Sequence, residues 1–120
     1  MIIKPHFDLY AIHISDEIGY GVFTNEFIPK NSIVETSYCI PTNPLNEWDL
    51  YKFGSKDGSF LPLGYSAIYN HSDNPNIRWY VVSKGIIQFI ALENISEKTQ
   101  LCHSYGPNYF KQHRISKIMI

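Results

Sequence analysis

The sequence predicts a mostly β domain built of short strands with two or three short helices. Three observations carry this. Isoleucine is abundant, tyrosine occurs nine times and alanine is scarce, and β-branched and aromatic side chains suit a pleated, half-buried surface better than a helix. Short apolar runs recur at close spacing, each bounded by Gly, Pro, Asn or Asp. No segment is long enough to act as a crossover helix, which excludes a doubly wound α/β fold.

Taken in order, Phe7 to Ile14 reads as a strand. Asp16-Glu17-Ile18-Gly19 turns the chain into a second strand, Tyr20 to Phe27, which ends at Pro29-Lys30-Asn31. A third strand runs from Ile33 to Ile40, where Pro41 and Pro44 close it. Asn46 to Phe53 is a helical candidate with Asn46 at its N-cap, and Gly54 to Ser59 is a polar loop. Leu63 to Tyr69 suggests a helical turn that stops at Asn70, since the Asn/Asp/Ser cluster and Pro75 favour turns. Arg78 to Val82 and Ile86 to Leu92 flank Ser83-Lys84-Gly85, which predicts a tight hairpin with the glycine at positive φ. A last strand, Thr99 to Tyr105, ends at Gly106-Pro107, and Asn108 caps a C-terminal helix to about Ile118.

At 120 residues the chain suits a single domain over 1–120. Ten Lys+Arg against eleven Asp+Glu give a net charge of −1, and only Arg78 and Arg114 are arginines, so a role centred on nucleic acid is not expected. Apolar residues at 44% and charged residues at 18% describe a packed globule, not a disordered chain. Cys39 and Cys102 stand apart with no metal-ligand spacing, so neither a disulfide framework nor a metal site is expected. No secretory or membrane-spanning segment is legible, and an intracellular, soluble protein is expected.

Three clusters mix glycine with hydrogen-bonding or aromatic groups: Gly19-Tyr20-Gly21, Asn70-His71-Ser72-Asp73-Asn74-Pro75-Asn76 and His103-Ser104-Tyr105-Gly106. Each has a plain structural reading. A Gly-x-Gly is also what a tight turn between strands needs. Asn70 and Ser72 suit an Asx-rich turn that satisfies local backbone. Tyr105 suits a core aromatic with its hydroxyl turned outward.

Together and in this order, with Val22-Phe23 after the first cluster and Ile33-Val34-Glu35 between, they resemble the SET-domain protein lysine methyltransferases. The similarity is to the minimal, stand-alone form that some large viruses carry, and it spans about residues 15 to 110. It implies a β-clip-like fold of small curved sheets with a C-terminal pseudoknot. It also implies S-adenosylmethionine as methyl donor, with S-adenosylhomocysteine as product. By the resemblance, Gly19, Tyr20, Gly21, Asn70, His71, Tyr105 and Phe110 bind the cofactor, Tyr105 is the catalytic residue, and Tyr51, His103 and Tyr109 border the substrate lysine channel. The implied partner is a lysine-containing peptide, plausibly a histone tail, with Glu26, Glu35, Glu47 or Asp49 as acids that could meet its basic residues or equally be solvated surface.

The chain also departs from the family. The zinc-binding cysteine clusters that flank larger members are absent, so channel closure is expected from Tyr109 and Phe110, from a homodimer partner, or from the substrate itself. His103 stands where members usually carry a hydrophobic or aromatic residue, and either titrates near neutrality or stays silent, bonded to backbone. The competing functional reading is a catalytically silent module that binds peptide or S-adenosylmethionine. Location follows substrate: nuclear, or host-nuclear, for a histone, and cytoplasmic otherwise.

Overall fold

The computed structural model describes residues 2–42, 53–55 and 58–105. Among the described residues nine strands follow one another: β1 (Leu9–Ser15), β2 (Gly19–Thr24), β3 (Ile33–Thr42), β4 (Phe53–Ser55), β5 (Gly58–Pro62), β6 (Asn70–His71), β7 (Ile77–Ser83), β8 (Ile86–Ala91) and β9 (Cys102–His103). A 3-10 turn, Tyr65–Ala67, precedes β6. β1 and β2 form an antiparallel ribbon, a five-stranded sheet runs in the order β4-β5-β3-β8-β7, and β6 pairs with β9 in parallel. The predominance of short strands in small sheets agrees with the fold class the sequence predicts.

The hairpin of β7 and β8 is local chemistry. Lys84 and Gly85 form its turn, with Ser83 opposite Ile86, and Gly85 takes φ +78°, a region open to glycine at little cost. The turn into β2 is local too: Ser15 Oγ accepts the Ile18 N–H at 3.0 Å. β8 lies between β3 and β7 in the large sheet, and Ile87, Gln88 and Phe89 are buried in succession, so both of its faces are covered. Phe89 enters a core with Val22, Ile28, Val34, Ile77 and Leu101, each contributing about 1.5–3 kcal/mol through burial. On the opposite face Gln88 is satisfied by Thr36 Oγ1 at 3.2 Å and the Tyr80 hydroxyl at 2.8 Å. The N-terminal segment completes β3: His6 N–H donates to the Val34 carbonyl and Thr36 N–H to that of Lys4, so backbone groups on that edge find partners.

Four sequence expectations change. Pro41 does not close β3, which continues to Thr42 because residues 39–42 pair with β5. β8 is opposite only Ile33 to Tyr38, so the missing proline N–H breaks no bond of that ladder. The expected loop at 54–59 holds parts of two strands, with Gly54 opposite Ser59 and Ser55 opposite Gly58; Phe53, the expected helix end, opens β4. Asn70 does not only end a turn: it begins β6, with Cys102 opposite.

The expected strand 99–105 is divided between two partners. Thr99 and Leu101 exchange bonds with Thr24 and Val22 of β2, and Cys102–His103 then pairs with β6. Of the expected helix at 46–53, residues 46–52 lie outside the described residues, as does the C-terminal helix from Asn108. No described helix is long and apolar enough to cross a membrane.

Candidate active site

The switch of partners at residues 100–103 gathers the three sequence clusters at one corner. Leu101 N–H donates to the Val22 carbonyl at 2.8 Å, beside the Gly-Tyr-Gly turn. Asn76 brackets the same segment: its Nδ2 donates to the Gln100 carbonyl at 2.8 Å and its Oδ1 accepts the Cys102 N–H at 2.9 Å. Ser72 N–H adds a bond to the His103 carbonyl at 3.1 Å. The Asn-rich segment is thus more than an Asx turn, although Ser72 Oγ does accept the Asn74 N–H at 3.0 Å.

Asn70 ties this corner to β2. Its Nδ2 donates to the Tyr20 carbonyl at 3.1 Å and to Gln100 Oε1 at 2.9 Å. Gly21 is needed for that approach, since a Cβ there would stand 2.5 Å from Ile14 Cδ1, 2.6 Å from Gln100 Oε1 and 3.3 Å from Asn70 Nδ2. Gly19, at φ +84°, is the opposite case: nothing lies within 4 Å of its Cβ position. The Tyr20 side chain is 54% exposed and meets the His13 ring edge-on at 5.4 Å.

Tyr105 is half-buried and held at both ends. Its hydroxyl donates to the Tyr69 carbonyl at 2.8 Å and its backbone N–H to His71 Nδ1 at 3.1 Å. Because Nδ1 accepts, the His71 ring proton sits on Nε2, which donates to Asp73 Oδ1 at 2.8 Å. The rings of His71 and His103 lie 5.3 Å and 5.0 Å from that of Tyr105.

His103 is buried among Phe89, Tyr69 and Tyr105. Burial, with a smaller contribution from neighbouring His71, pushes its pKa down to about 3, against the pull of a hydrogen bond with Ser104. It is neutral at physiological pH. The expectation of titration near neutrality is therefore corrected, because no water-like surroundings remain to stabilise the imidazolium.

Glu35 is also corrected. It is 1% exposed, so it is not an acid presented to a basic peptide. Oε1 accepts from the Tyr69 and Ser66 hydroxyls and Oε2 from the Tyr65 N–H. Desolvation raises its pKa against the pull of these donors. Tyr69 is core, packed edge-on to Phe89 at 4.8 Å. Nothing in the spacing of Glu35 marks it as buried; the signal is the unbroken burial of 34–37 beside the irregularity in β3 between Ile33 and Glu35, of the kind that re-aims side chains. Glu26 is exposed and accepts the Asp8 N–H at 2.8 Å. Burial raises the Cys39 and Cys102 thiols to about 11, so both stay protonated at neutral pH. Tyr51, Tyr109, Phe110, Glu47 and Asp49 lie outside the described residues.

An open glycine turn, an asparagine and a histidine on one short strand, and a tyrosine hydroxyl anchored to a carbonyl, all joined by a strand that changes partners, define a SET-domain protein. Residues 19–106 match the SET domain, and the chain belongs to that family. It is 29% identical over 107 residues to the histone-lysine N-methyltransferase, H3 lysine-37 specific, of Schizosaccharomyces pombe, covering 79% of this chain and 71% of that one. Its structure is similar to that of a putative histone methyltransferase of Plasmodium falciparum, with 30% identity, a TM-score of 0.69, and coverage of 85% of this chain and 96% of the other. KRYPTONITE, solved with DNA, an H3(1-15) peptide and S-adenosylhomocysteine, shares the fold at 24% identity and a TM-score of 0.65, over 85% of this chain and 24% of that one.

Proposed function

We infer that the chain is an S-adenosylmethionine-dependent protein-lysine N-methyltransferase. Family membership and the similarity to the yeast histone-lysine enzyme support the reaction class. Within the molecule, the supporting observation is the meeting of Gly19–Gly21, Asn70–His71 and Tyr105 along residues 100–105.

The residues at this corner fit such a cofactor. Open space at Gly19 leaves the backbone of the turn approachable, while Gly21 lets Asn70 and Gln100 pack against it, and electron-rich tyrosine faces suit a cationic sulfonium. When bound, the cofactor supplies an electrophilic methyl group. Gly19, Tyr20, Gly21, Asn70 and His71 would hold it, with Phe110 as the resemblance implies.

The protein's own task is alignment, because transfer of a methyl group to an amine is an in-line displacement governed by orientation. The Tyr105 hydroxyl and the Tyr69 carbonyl, 2.8 Å apart, form a polar pair that can orient a lysine amine. Exclusion of water from the channel and the positive charge of the neighbouring sulfonium would disfavour the ammonium and so promote the neutral nucleophile. Tyr105 fills the catalytic role in this reading, and Tyr51, Tyr109 and His103 border the lysine channel.

The substrate in this reading is a histone tail or a similarly flexible basic peptide, and a histone substrate would place the protein in the nucleus. A homodimer partner would complete the channel beyond Tyr109. Incubating the purified protein with tritiated S-adenosylmethionine and recombinant histones tests the reading: label on lysine is expected. A thermal shift with the cofactor but no labelled lysine would leave a silent binding module instead.

A further inference from the structure

Among the described residues Glu35 is the one buried acid, and the structure invests heavily in holding it. Three donors from one short segment converge on it: Tyr65 N–H at 3.0 Å, the Ser66 hydroxyl at 2.8 Å and the Tyr69 hydroxyl at 2.8 Å. Ser37 extends the array through its hydroxyl contact with Ser66. Gly64, at φ +93°, admits the carboxylate, since a Cβ there would stand 2.7 Å from Oε2. A buried carboxyl needs such donors to be tolerated at all, but their location has a further effect.

Tyr69 is gripped from both sides of its Cα. Its phenol is fixed by Glu35, its fully buried ring packs edge-on to Phe89, and its carbonyl accepts the Tyr105 hydroxyl at 2.8 Å. Anchoring the far end of the side chain limits rotation about the Tyr69 backbone, and with it the direction of the carbonyl. Asn70, next in the chain, is tied to Tyr20 and Gln100, so the intervening peptide is held from its other end as well.

Resting on the methyltransferase reading, we propose that Glu35 is a positioning residue: acting through the two ends of Tyr69, it fixes the carbonyl that holds the Tyr105 hydroxyl in place. The link runs from Glu35 to the Tyr69 phenol, through that one residue, to the Tyr105 hydroxyl. A purely structural role for Glu35 would instead stabilise the 3-10 turn and leave turnover by folded molecules unchanged.

Tyr69→Phe removes the hydroxyl alone and keeps the ring against Phe89. Steady-state methylation of recombinant histones, measured well below the melting temperature of each variant, should show kcat lowered about tenfold. KM for histone and the cofactor affinity by calorimetry should be unchanged. Glu35→Gln should lower kcat similarly, and the double variant should be no worse than Tyr69→Phe, because residues acting through one bond are not additive. Parental kcat in Tyr69→Phe, or multiplying effects in the double variant, overturns the proposal. Should Glu35→Gln fail to fold, Tyr69→Phe decides alone. Absence of methylation by the parent itself would instead defeat the methyltransferase reading, and calorimetry would still report whether cofactor binds.

Discussion

The backbone N–H of Tyr105 donates to His71 Nδ1 at 3.1 Å, across 34 residues of sequence. One bond thereby joins the Asn-His strand to Tyr105, and it selects the His71 tautomer that donates to Asp73. The parallel pairing of β6 with β9 makes this possible, because Asn70 and His71 stand opposite Cys102 and His103.

Tyr105→Phe keeps the ring between His71 and His103 and removes the hydroxyl bonded to Tyr69. Turnover should fall by roughly 10²-fold, the usual scale for losing one oriented polar group in a reacting site. Calorimetric affinity for S-adenosylmethionine should be nearly unaltered. Methylation at the parental rate would remove Tyr105 from its catalytic role.

Asn70→Ala deletes the bonds to Tyr20 and Gln100. Stability should drop by roughly 1–2 kcal/mol in denaturant unfolding, and cofactor affinity should weaken about tenfold, equivalent to about 1.4 kcal/mol. Unchanged affinity would place Asn70 outside the cofactor site.

The two glycines of the first turn should fail for different reasons. Gly21→Ala pushes a methyl group onto Ile14 and Gln100, costing about 1–3 kcal/mol by overpacking and disturbing Asn70 through Gln100. Gly19→Ala meets open space but keeps a left-handed φ, costing about 1–2 kcal/mol with no effect on Asn70. Melting curves with and without cofactor separate the two; equal cofactor-induced shifts would count against the role given to Gly21.

His103 makes the fold sensitive to acid. Its folded pKa of about 3 lies below its ordinary 6.5, so the unfolded chain takes up the proton first. Its contribution is complete above pH 6.5 and is lost as pH falls toward 3, by at most about 5 kcal/mol. Glu35, whose folded pKa is raised, has the opposite sign: its contribution declines as pH rises above the ordinary carboxylate range. Comparing His103→Leu with the parent isolates the histidine, and the variant should show a flatter fall in stability between pH 6.5 and pH 3. Identical slopes would mean that His103 is solvated.

What was legible in the sequence was whatever short-range chemistry controls. The Lys84-Gly85 hairpin follows from a glycine able to take positive φ, and the turn before Gly19 from a polar segment between two apolar runs. The order of the Gly-Tyr-Gly, Asn-His-Ser and Tyr-Gly segments was enough to suggest the family. A short helical turn before Asn70 was also legible. The hairpin of β4 and β5 was not, because polar residues such as Ser55 and Ser59 pair well at a sheet edge once a partner exists, and composition carries no record of partners.

The sequence by itself determined the β-rich class, the local turns and the set of residues from which a site would be made. Tertiary structure alone decided that residues 98–103 leave β2 for β6, that Glu35 is interior, and that Tyr69 joins it to Tyr105. The physical reason is that burial and hydrogen-bond satisfaction belong to pairs of segments. Thr99 and Cys102 look alike as strand residues, and only the positions of Thr24 and Asn70 in space assign them different partners.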